Sequence, residues 1–255
     1  MLLALDIGNT NIVAGCFDGD EILFSERIKT DTSKTDIEFV VLIEAVLKLH
    51  NVSVDSIEGV AVSSVVPQVN TVITAAVRKM LNLTPLFVGP GVKTGINVAI
   101  DDPSSAGADL IVDAVAGLNE YGAPLIMIDM GTATTITVLD KNRNFIGGAI
   151  LPGVGSAMDS LVNKTSQLPR ISLEGPKKPI GRNTVDSMKS GIFLGQAAAM
   201  DGLIDRMWEE LGYETKIVAT GGLAPSIIPE CTHEITVDDN LILKGLKYIY
   251  DRNKS

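Results

Sequence analysis

Cysteine and histidine are scarce in this chain, and their scarcity excludes several classes of protein. Only Cys16 and Cys231 occur among 255 residues, which is too few for a disulfide framework, and no close Cys/His spacing suggests a zinc site. The two histidines, His50 and His233, are far apart in sequence, and each fits a surface or helix-end position better than a catalytic one. We therefore expect a protein of a reducing compartment, the cytoplasm.

Long apolar runs and excess positive charge are also missing. The N-terminal apolar run stops at Asp6, and later runs such as residues 123–130 are too short to span a membrane. Lys and Arg number 21 against 31 Asp and Glu, which gives a formal net charge of -10. Because nucleic acids and anionic membranes are themselves negative, neither is expected as a partner. A small anionic ligand would need backbone amides or a metal ion.

The chain does contain Val- and Ile-rich runs that alternate with helical patterns, which is typical of an α/β protein. The first half predicts the order β, β, β, α, β, α, β, with Thr35 available to cap the first helix. The predicted strands are 2–7, 12–17, 21–28, 59–63, 85–88, 145–151 and 216–219, and the predicted helices are 36–50, 66–80, 106–118, 155–163, 183–211, a helix after Gly222, and 239–252.

An internal repeat is the strongest sign of how the chain is organised. LALDIGNTNIVAGCFDGDEI near the start matches IMIDMGTATTITVLDKNRNF in the second half, since both contain an apolar strand, Asp, one residue, Gly, a nearby Thr, a second strand and a polar turn. The repeat pairs Asp6 with Asp129 and Gly8 with Gly131. It predicts two similar lobes, residues 1–121 and 122–255, with a cleft between them.

Both Asp-Gly turns suit phosphate. Glycine lets backbone amides approach a ligand closely, and Asn9, Thr10 and Thr132 add side-chain donors. The carboxylates of Asp6 and Asp129 would repel phosphate, so each is predicted to hold a cation or its water shell. An ordinary hairpin is the alternative for one turn taken alone, but two matched copies favour a triphosphate bound by both lobes.

Other nucleotide-binding signatures are absent or weaker. GxxxxGK(S/T) does not occur, so a P-loop enzyme is not expected, and GPGVKTG after Val88 lacks the dinucleotide spacing and is interpreted as a loop. ATGG at 219–222 follows a β-rich run and opens a helix, where Gly221 and Gly222 would leave room for adenosine or its phosphate. A plain helix start is the alternative reading of this segment.

A further carboxylate, Asp109, occupies a suggestive place in DDPSSAGADL. Ser104 or Ser105 is expected to cap the helix 106–118, which puts Asp109 near its first turn beside Gly107, where glycine leaves space for a substrate. Asp109 would then accept a proton from an attacking hydroxyl, with Asp113 one turn further on. A favourable interaction with the helix dipole is the simpler alternative.

Seven blocks in order resemble the type III pantothenate kinases, members of the actin-like ATPase superfamily. They are DIGNTN at 6–11, GAD at 107–109, DMGTATT at 129–135, GGAILPG at 147–153, GRNT at 181–184, SGIFLGQ at 190–196 and ATGGLA at 219–224. The resemblance implies duplicated ribonuclease H-like α/β lobes, each a mixed five-stranded sheet with flanking helices, and ATP in the interlobe cleft. It also implies phosphorylation of the primary hydroxyl of pantothenate, the first step of coenzyme A biosynthesis, by a homodimer that uses ATP, Mg²⁺ and a monovalent cation, K⁺ or NH₄⁺.

The resemblance also assigns roles by position. Asp109 matches the general base, Asp129 the ligand of the monovalent cation, and Asp6 is expected to hold Mg²⁺ through water. Thr184 matches a substrate contact that reaches the site from the partner subunit in the family. The expected ATP contacts are Asp6, Ile7, Gly8, Asn9, Thr10, Asn11, Ile12, Val13, Thr132, Gly221 and Gly222, and the expected substrate contacts are Ile100, Gly107, Ala108, Asp109, Leu110 and Thr184.

Two positions on the acceptor side depart from the family pattern. Leu110 stands where the family usually has the arginine of GADR, and Ile100 where it has a substrate-contacting tyrosine. A guanidinium contact to a carboxylate is worth roughly 1.5 to 3 kcal/mol, and leucine cannot replace it. Three readings stay open: a pantothenate kinase with weaker or rerouted acceptor binding, a kinase for a less anionic pantothenate-like alcohol, and a nucleotide-binding accessory or regulatory paralogue. A sugar kinase or phosphatase of the superfamily fits less well because the chain is short.

Overall fold

The computed structural model describes residues 1–254, which form two compact units. The first unit comprises residues 1–96, 101–116 and the chain from 240 onward, and the second comprises 97–100 and 117–239. The sequence repeat predicts a single division between residues 121 and 122. As the boundary between the two copies of the repeat, that division stays a prediction. The compact units differ from it, because the C-terminal helix packs in the first unit and a short strand near residue 97 in the second.

The first unit is built on a five-stranded mixed sheet. Its strands are β1 (Leu2–Ile7), β2 (Asn11–Asp18), β3 (Glu21–Lys29), β4 (Gly59–Ser64) and β5 (Leu86–Phe87). Their spatial order is β3-β2-β1-β4-β5. The strand β2 pairs antiparallel with both β1 and β3, whereas β4 and β5 run parallel to β1. Tight turns join the antiparallel strands, and helices supply the longer crossovers that parallel strands need.

Helices cover both faces of this first sheet. They are α1 (Asp36–Leu49), α2 (Pro67–Leu81), the first part of α3 (Ala108–Glu120) and, at the C-terminus, α7 (Leu241–Asn253). The first helix begins where the sequence predicts, because the Glu38 side chain accepts the N–H of Thr35 at 2.8 Å and so satisfies one unpaired donor of the helix start. Alternate residues of β1 fill two separate cores, one with α1 and α2 and one with α3 and α7.

The second unit repeats this pattern on a larger sheet. Its strands are β6 (Asn97–Val98), β7 (Leu125–Met130), β8 (Ala133–Leu139), β9 (Asn144–Pro152), β10 (Lys216–Thr220) and β11 (Thr236–Val237), in the order β11-β10-β7-β8-β9-β6. The expectation of five strands is wrong for this unit. The sixth strand, β6, pairs in parallel with β9, and the Asn97 side-chain amide donates to Asn144 Oδ1 at 2.8 Å.

The core of the second unit lies between its sheet and three helices. These helices are α4 (Val154–Lys164), α5 (Thr184–Leu211) and the short α6 (Ala224–Ile227). Phe193 and Met200 of α5 are 0% exposed and pack with Ile126 and Ile128 of β7 in one apolar cluster. Among residues 1–254, none of the helices is both long and apolar enough to cross a membrane.

The start of α3 corrects one sequence prediction. The helix begins at Ala108, and Ser104 and Ser105 do not cap it, because they lie in a short 3-10 turn before it. The hydroxyl of Ser104 donates to Asp102 Oδ1 and that of Ser105 to the Asp102 carbonyl, both at 2.6 Å. Short polar side chains often form such local bonds in competition with a helix cap, and here the turn at Asp102 prevails.

The packing of α7 in the first unit generates a test of the fold. A side chain at Gly245 would meet the carbonyl group and Cγ1 of Val112 on α3, so Gly245→Ala is expected to lower the free energy of unfolding by about 2 kcal/mol through overpacking. Gly195→Ala, in an open position on α5, is the control and should raise it by up to about 1 kcal/mol. Urea unfolding measures both, and a Gly245→Ala variant as stable as the wild type would contradict this packing.

Candidate functional site

The first Asp-Gly turn joins β1 to β2 and presents a polar tip. The Gly8 N–H donates to the Asn11 carbonyl at 3.0 Å, and Asn9, Thr10 and Asn11 are exposed. Thr30, the residue after β3, fixes the turn from the side: its N–H donates to the Thr10 carbonyl at 3.0 Å and its hydroxyl to the Gly8 carbonyl at 2.7 Å. Thr30 was not predicted as a site residue, and only its position directly after β3 could have indicated it.

The remaining predicted ATP contacts of this turn differ in what they offer a ligand. Ile7 and Ile12 are 0% and 2% exposed and pair with each other, so their side chains anchor the turn in the core and leave only backbone for a ligand. Asp6 and Val13 are half-buried and also pair with each other across the hairpin. Of these four residues, Asp6 carries the polar group at the end of the strand.

The second Asp-Gly turn, between β7 and β8, is fixed by hydrogen bonds from residues at the start of α4. The Gly131 N–H donates to the Ala133 carbonyl at 3.0 Å. The Thr132 carbonyl accepts the Gly153 N–H at 3.2 Å and the Ser156 hydroxyl at 2.8 Å. Gly131 and Thr132 are exposed, so this turn also presents a fixed backbone and one hydroxyl side chain. Ser156 was missed, although it closely follows the GGAILPG block.

The ATGG segment lies against the second turn within the same unit. Gly221 has a φ of +97°, which favours glycine, and a side chain there would come within 2.7 Å of the Met130 backbone. Met130 stands between Asp129 and Gly131, so the structure brings Gly221 and this turn together. Gly222 is exposed just before α6.

The two strand-end aspartates offer oxygen ligands of the kind that hard cations prefer. Asp6 and Asp129 are both half-buried, and each is paired across a parallel strand with a hydroxyl residue, Ser63 and Thr220 respectively. Residues 1–254 contain no group of three or more His, Cys, Asp or Glu that could hold a metal ion. Mg²⁺ at nucleotide sites commonly takes one or two carboxylates, phosphate oxygens and waters, and a single strand-end carboxylate fits that arrangement.

Asp109 lies in the first turn of α3 with its carboxylate folded back toward the backbone. Its Oδ1 accepts the Leu110 N–H at 2.8 Å, and a side chain at Gly107 would collide with this same oxygen. The space expected beside Gly107 is therefore taken by Asp109 itself. Burial raises the pKa of Asp109 above its ordinary value, and the Leu110 N–H offsets part of the rise. Asp113, one turn later, is only 4% exposed.

The other predicted acceptor contacts are divided between the two units. Ala108 and Leu110 are half-buried at the start of α3 in the first unit. Ile100 belongs to the second unit, where its Cγ2 lies 3.8 Å from the position that a side chain at Gly147 would take. Both family departures, Ile100 and Leu110, are thus partly accessible side chains.

Thr184 is the first residue of α5 and is exposed. The preceding residue, Asn183, caps the helix, since its Oδ1 accepts the Asp186 N–H at 2.9 Å. A side chain at Gly181 would collide with the backbone of Ser187, which explains the glycine in GRNT. The cap and the glycine together fix the position of Thr184 in the second unit.

The cysteines and histidines lie outside these turns. Cys16 is fully buried, and burial raises the pKa of the Cys231 thiol to about 12, so that thiol stays protonated at neutral pH. His50 ends α1 and stacks on Phe24 with ring centroids 4.5 Å apart. His233 contacts Trp208 edge to face, at a centroid distance of 4.9 Å.

Comparison with known proteins reveals close relatives. The sequence model of the family described as Type III pantothenate kinase matches residues 2–206. A type III pantothenate kinase from Brevibacillus brevis is 42% identical over 255 residues, with 100% of both chains covered. One from Exiguobacterium sibiricum is 44% identical over 254 residues, again with 100% of both covered. The resemblance stated from the seven sequence blocks is confirmed.

More distant solved structures share the fold. A Campylobacter jejuni protein described as a Baf family transcriptional activator is 19% identical, with a TM-score of 0.60 over 98% of each chain. Component A of the (R)-2-hydroxyglutaryl-CoA dehydratase from Acidaminococcus fermentans is 13% identical, with a TM-score of 0.59 over 99% of each chain. The duplicated ribonuclease H-like fold predicted from the sequence is confirmed, apart from the number of strands in the second sheet.

The environment of Asp109 predicts an unusual stability effect. Because burial raises the pKa of Asp109 in the folded state, the folded state binds the proton more tightly than the unfolded chain does. The free energy of unfolding therefore falls as the pH rises from the ordinary pKa of an aspartate through the raised pKa of Asp109. Asp109→Asn removes the buried charge and keeps an acceptor for the Leu110 N–H. We expect it to raise Tm by roughly 1 to 4 °C at pH 8 and by less at pH 4.5.

A control of opposite sign is available at Asp102, seven residues before Asp109 in the same segment. Hydrogen bonds from Ser104 lower the pKa of the exposed Asp102, so Asp102→Asn should lose stability at pH 8 rather than gain it. Calorimetric melting of both variants at the two pH values makes the comparison. An Asp109→Asn variant with a lower Tm at pH 8 than the wild type would contradict the assignment of burial as the main cause.

Proposed function

This chain belongs to the type III pantothenate kinase family, and we propose that it transfers the γ-phosphoryl group of ATP to the primary hydroxyl of pantothenate, the first step of coenzyme A biosynthesis. The observation that carries the proposal is the 42% to 44% identity to named type III pantothenate kinases over the full length of each chain. The local geometry of the two turns and of Asp109 supports it, and the cytoplasmic location expected from the sequence belongs to the same proposal.

In this proposal the two Asp-Gly turns bind the phosphates of ATP. The exposed tip at 9–11 and Thr132 would supply N–H and hydroxyl donors, and bonds from Thr30 to the Gly8 carbonyl and from Ser156 to the Thr132 carbonyl hold the backbone of the two turns in place. Fixed donors need little reorganisation, which is the main way in which a protein stabilises a transferring phosphoryl group. Gly221, packed on the second turn, would border the adenosine together with Gly222.

The strand-end carboxylates would hold the cations. Asp6 would hold Mg²⁺ through water, and Asp129 would bind K⁺ or NH₄⁺, because each is a half-buried oxygen ligand beside a phosphate-binding turn. When bound, such cations neutralise charge on the transferring phosphoryl group. The contribution of the chain is to hold one carboxylate at the end of each buried strand, where its charge would repel a phosphate but attract a cation.

Asp109 would act as the general base toward the acceptor hydroxyl. Its Oδ1 accepts the Leu110 N–H at 2.8 Å, which fixes the orientation of the carboxylate. The raised pKa brings Asp109 closer to neutral pH, where a base is more effective for proton transfer. Thr184, exposed at the start of α5, would complete the acceptor site from a second copy of the chain in a homodimer.

A second candidate function is a nucleotide-binding accessory or regulatory protein that does not turn over pantothenate. Leu110 in place of the family arginine favours it, because the anionic end of pantothenate loses a charge-assisted bond. Calorimetry distinguishes the two: heat from ATP but none from pantothenate, with or without nucleotide, supports the accessory role.

The kinase proposal predicts turnover that depends on Asp109. The wild type should phosphorylate pantothenate with ATP, Mg²⁺ and K⁺, and Asp109→Asn should lower kcat by about 10² to 10⁴. A coupled ADP assay measures both, and mass spectrometry identifies the phosphorylated product. The control is Asp102→Asn, an exposed aspartate before the same helix, which should keep kcat within a few-fold. Unchanged turnover in Asp109→Asn would remove Asp109 from the mechanism.

The acceptor side is tested by restoring the family residues. Ile100→Tyr combined with Leu110→Arg should lower KM for pantothenate about tenfold or more, as expected for a guanidinium–carboxylate bond. The control substrate is the analogue in which CH₂OH replaces the carboxylate of pantothenate, and its KM should change little. If the double variant uses both acceptors as the wild type does, the carboxylate is bound by other residues.

A further inference from the structure

Each unit has a hydroxyl residue beside its strand-end aspartate. Asp6 is paired with Ser63 across the parallel strands β1 and β4. Asp129 is paired with Thr220 across the parallel strands β7 and β10. Residues paired in register on neighbouring strands have their side chains on the same face of the sheet. The internal duplication therefore extends beyond the Asp-Gly turns to a pair made of one carboxylate and one hydroxyl.

The packing of the strands identifies the face in the first unit. Ala4 and Ala61 lie two residues before Asp6 and Ser63, and both belong to the core cluster that packs with α3 and α7. Because side chains alternate with a period of two along a strand, Asp6 and Ser63 point to that same side. The carboxylate and the hydroxyl are thus neighbours at the carboxyl ends of parallel strands, where ligands bind in open α/β sheets.

The second unit has the corresponding arrangement. Ile128 and Ala219 lie one residue before Asp129 and Thr220, and both belong to the core cluster formed with α4 and α5. Asp129 and Thr220 therefore point to the opposite face, and again to the same side as each other. Thr220 is 5% exposed, so its hydroxyl is carried by a buried part of the sheet.

Ser63 carries the strongest observation. It is 0% exposed, and within residues 1–254 its Oγ has no hydrogen-bond partner. A buried hydroxyl without a partner costs about 1 to 3 kcal/mol. The next residue, Ser64, is different: its hydroxyl donates to Asn70 Oδ1 at 2.6 Å and accepts the Val66 N–H at 3.2 Å, which supports the start of α2. Ser64 is thus engaged in the fold, whereas Ser63 has a hydroxyl that the fold does not use.

We propose that Ser63 and Thr220 are positioning residues, whose hydroxyls donate to the carboxylates of Asp6 and Asp129 and orient them toward a bound cation. The proposal rests on the proposed function, in which Asp6 holds Mg²⁺ and Asp129 the monovalent cation. For Ser63 the donation requires rotation of its side chain about χ1, which cation binding favours because the oriented carboxylate then binds the ion or its water better. A hydroxyl is suited to this task because it donates a hydrogen bond and adds no positive charge.

The two positions are expected to differ in strength. Asp129 has a second hydroxyl neighbour, Thr135 on β8, whereas the corresponding neighbour of Asp6 on β2 is Val13. Loss of the Ser63 hydroxyl therefore leaves Asp6 with no hydroxyl on either neighbouring strand. Loss of the Thr220 hydroxyl leaves Thr135 in place, so the second unit should be the more tolerant.

The test measures cation binding without turnover. The protein is saturated with ADP, MgCl₂ is titrated at fixed K⁺, and the rise in Tm gives the half-saturating Mg²⁺ concentration. Ser63→Ala should raise that concentration about tenfold, within the 10- to 100-fold range for lost partners of metal ligands, and leave the K⁺ midpoint unchanged. Thr220→Val should raise the K⁺ midpoint, measured at fixed Mg²⁺, by a smaller factor and leave the Mg²⁺ midpoint unchanged.

Matched variants separate positioning from general damage. Ser64→Ala should lower Tm of the ADP-free protein but leave both cation midpoints unchanged. Ser63→Thr and Thr220→Ser keep the hydroxyl and should keep wild-type midpoints, which leaves the proposal testable if Ser63→Ala folds poorly. A Ser63→Ala midpoint within twofold of the wild type, or an equal shift in Ser64→Ala, would overturn the proposal.

The outcomes also distinguish this proposal from the proposed function. A wild type whose ADP complex responds to Mg²⁺, but which phosphorylates no pantothenate, disproves the kinase function and leaves the positioning role to be decided by the Ser63→Ala midpoint. A wild type that phosphorylates pantothenate, with a Mg²⁺ midpoint that Ser63→Ala does not move, disproves the positioning role alone. A wild type without any Mg²⁺-dependent stabilisation by ADP overturns the positioning role directly.

Discussion

The register of the parallel strand pair in each unit is the constraint on which the site depends. A buried strand ends in an aspartate, a glycine turn follows at once, and the neighbouring parallel strand sets a hydroxyl beside the carboxylate. A shift of one residue in the strand pairing would place Asp6 and Asp129 on the face of the sheet that now carries Ile7 and Ile128. It would also bring an isoleucine to the face on which a ligand binds, and the complete burial of Ile7 and Ile128 opposes this. The same apolar contacts that stabilise the sheet therefore fix where the polar groups stand.

Glycines near the candidate site act mainly by letting other groups approach. Gly107 makes room for the folded-back carboxylate of Asp109, Gly221 for the backbone of Met130, and Gly153 for the carbonyls of the second turn. A side chain at any of these positions would displace backbone or a polar group rather than simply fill a pocket. In the proposed reaction this close packing holds the donors and the base in place before the substrates arrive, which reduces the reorganisation that phosphoryl transfer would otherwise require.

Prediction succeeded where the signal is local and failed where it is not. Apolar runs located β1 and β7 well, and Thr35 marked the start of α1, because these features need only neighbouring residues. The prediction that Ser104 or Ser105 caps α3 was wrong, because the hydroxyls of both serines donate to Asp102 in a separate turn before the helix. The two-residue strand β6, Asn97–Val98, is too short to show the alternation of a strand and exists through its pairing with β9, so the sequence pattern did not indicate it.

The sequence by itself determined the internal repeat, the two Asp-Gly turns, the carboxylate of Asp109 and membership of the family, because each is written in a short ordered block of residues. The tertiary structure alone decided that α7 joins the first unit, that the second sheet has six strands, and that Ser63 and Thr220 stand beside the strand-end aspartates. The physical reason is that pairing between distant strands follows from how apolar faces pack together, and a linear pattern does not specify which strand becomes the neighbour of which.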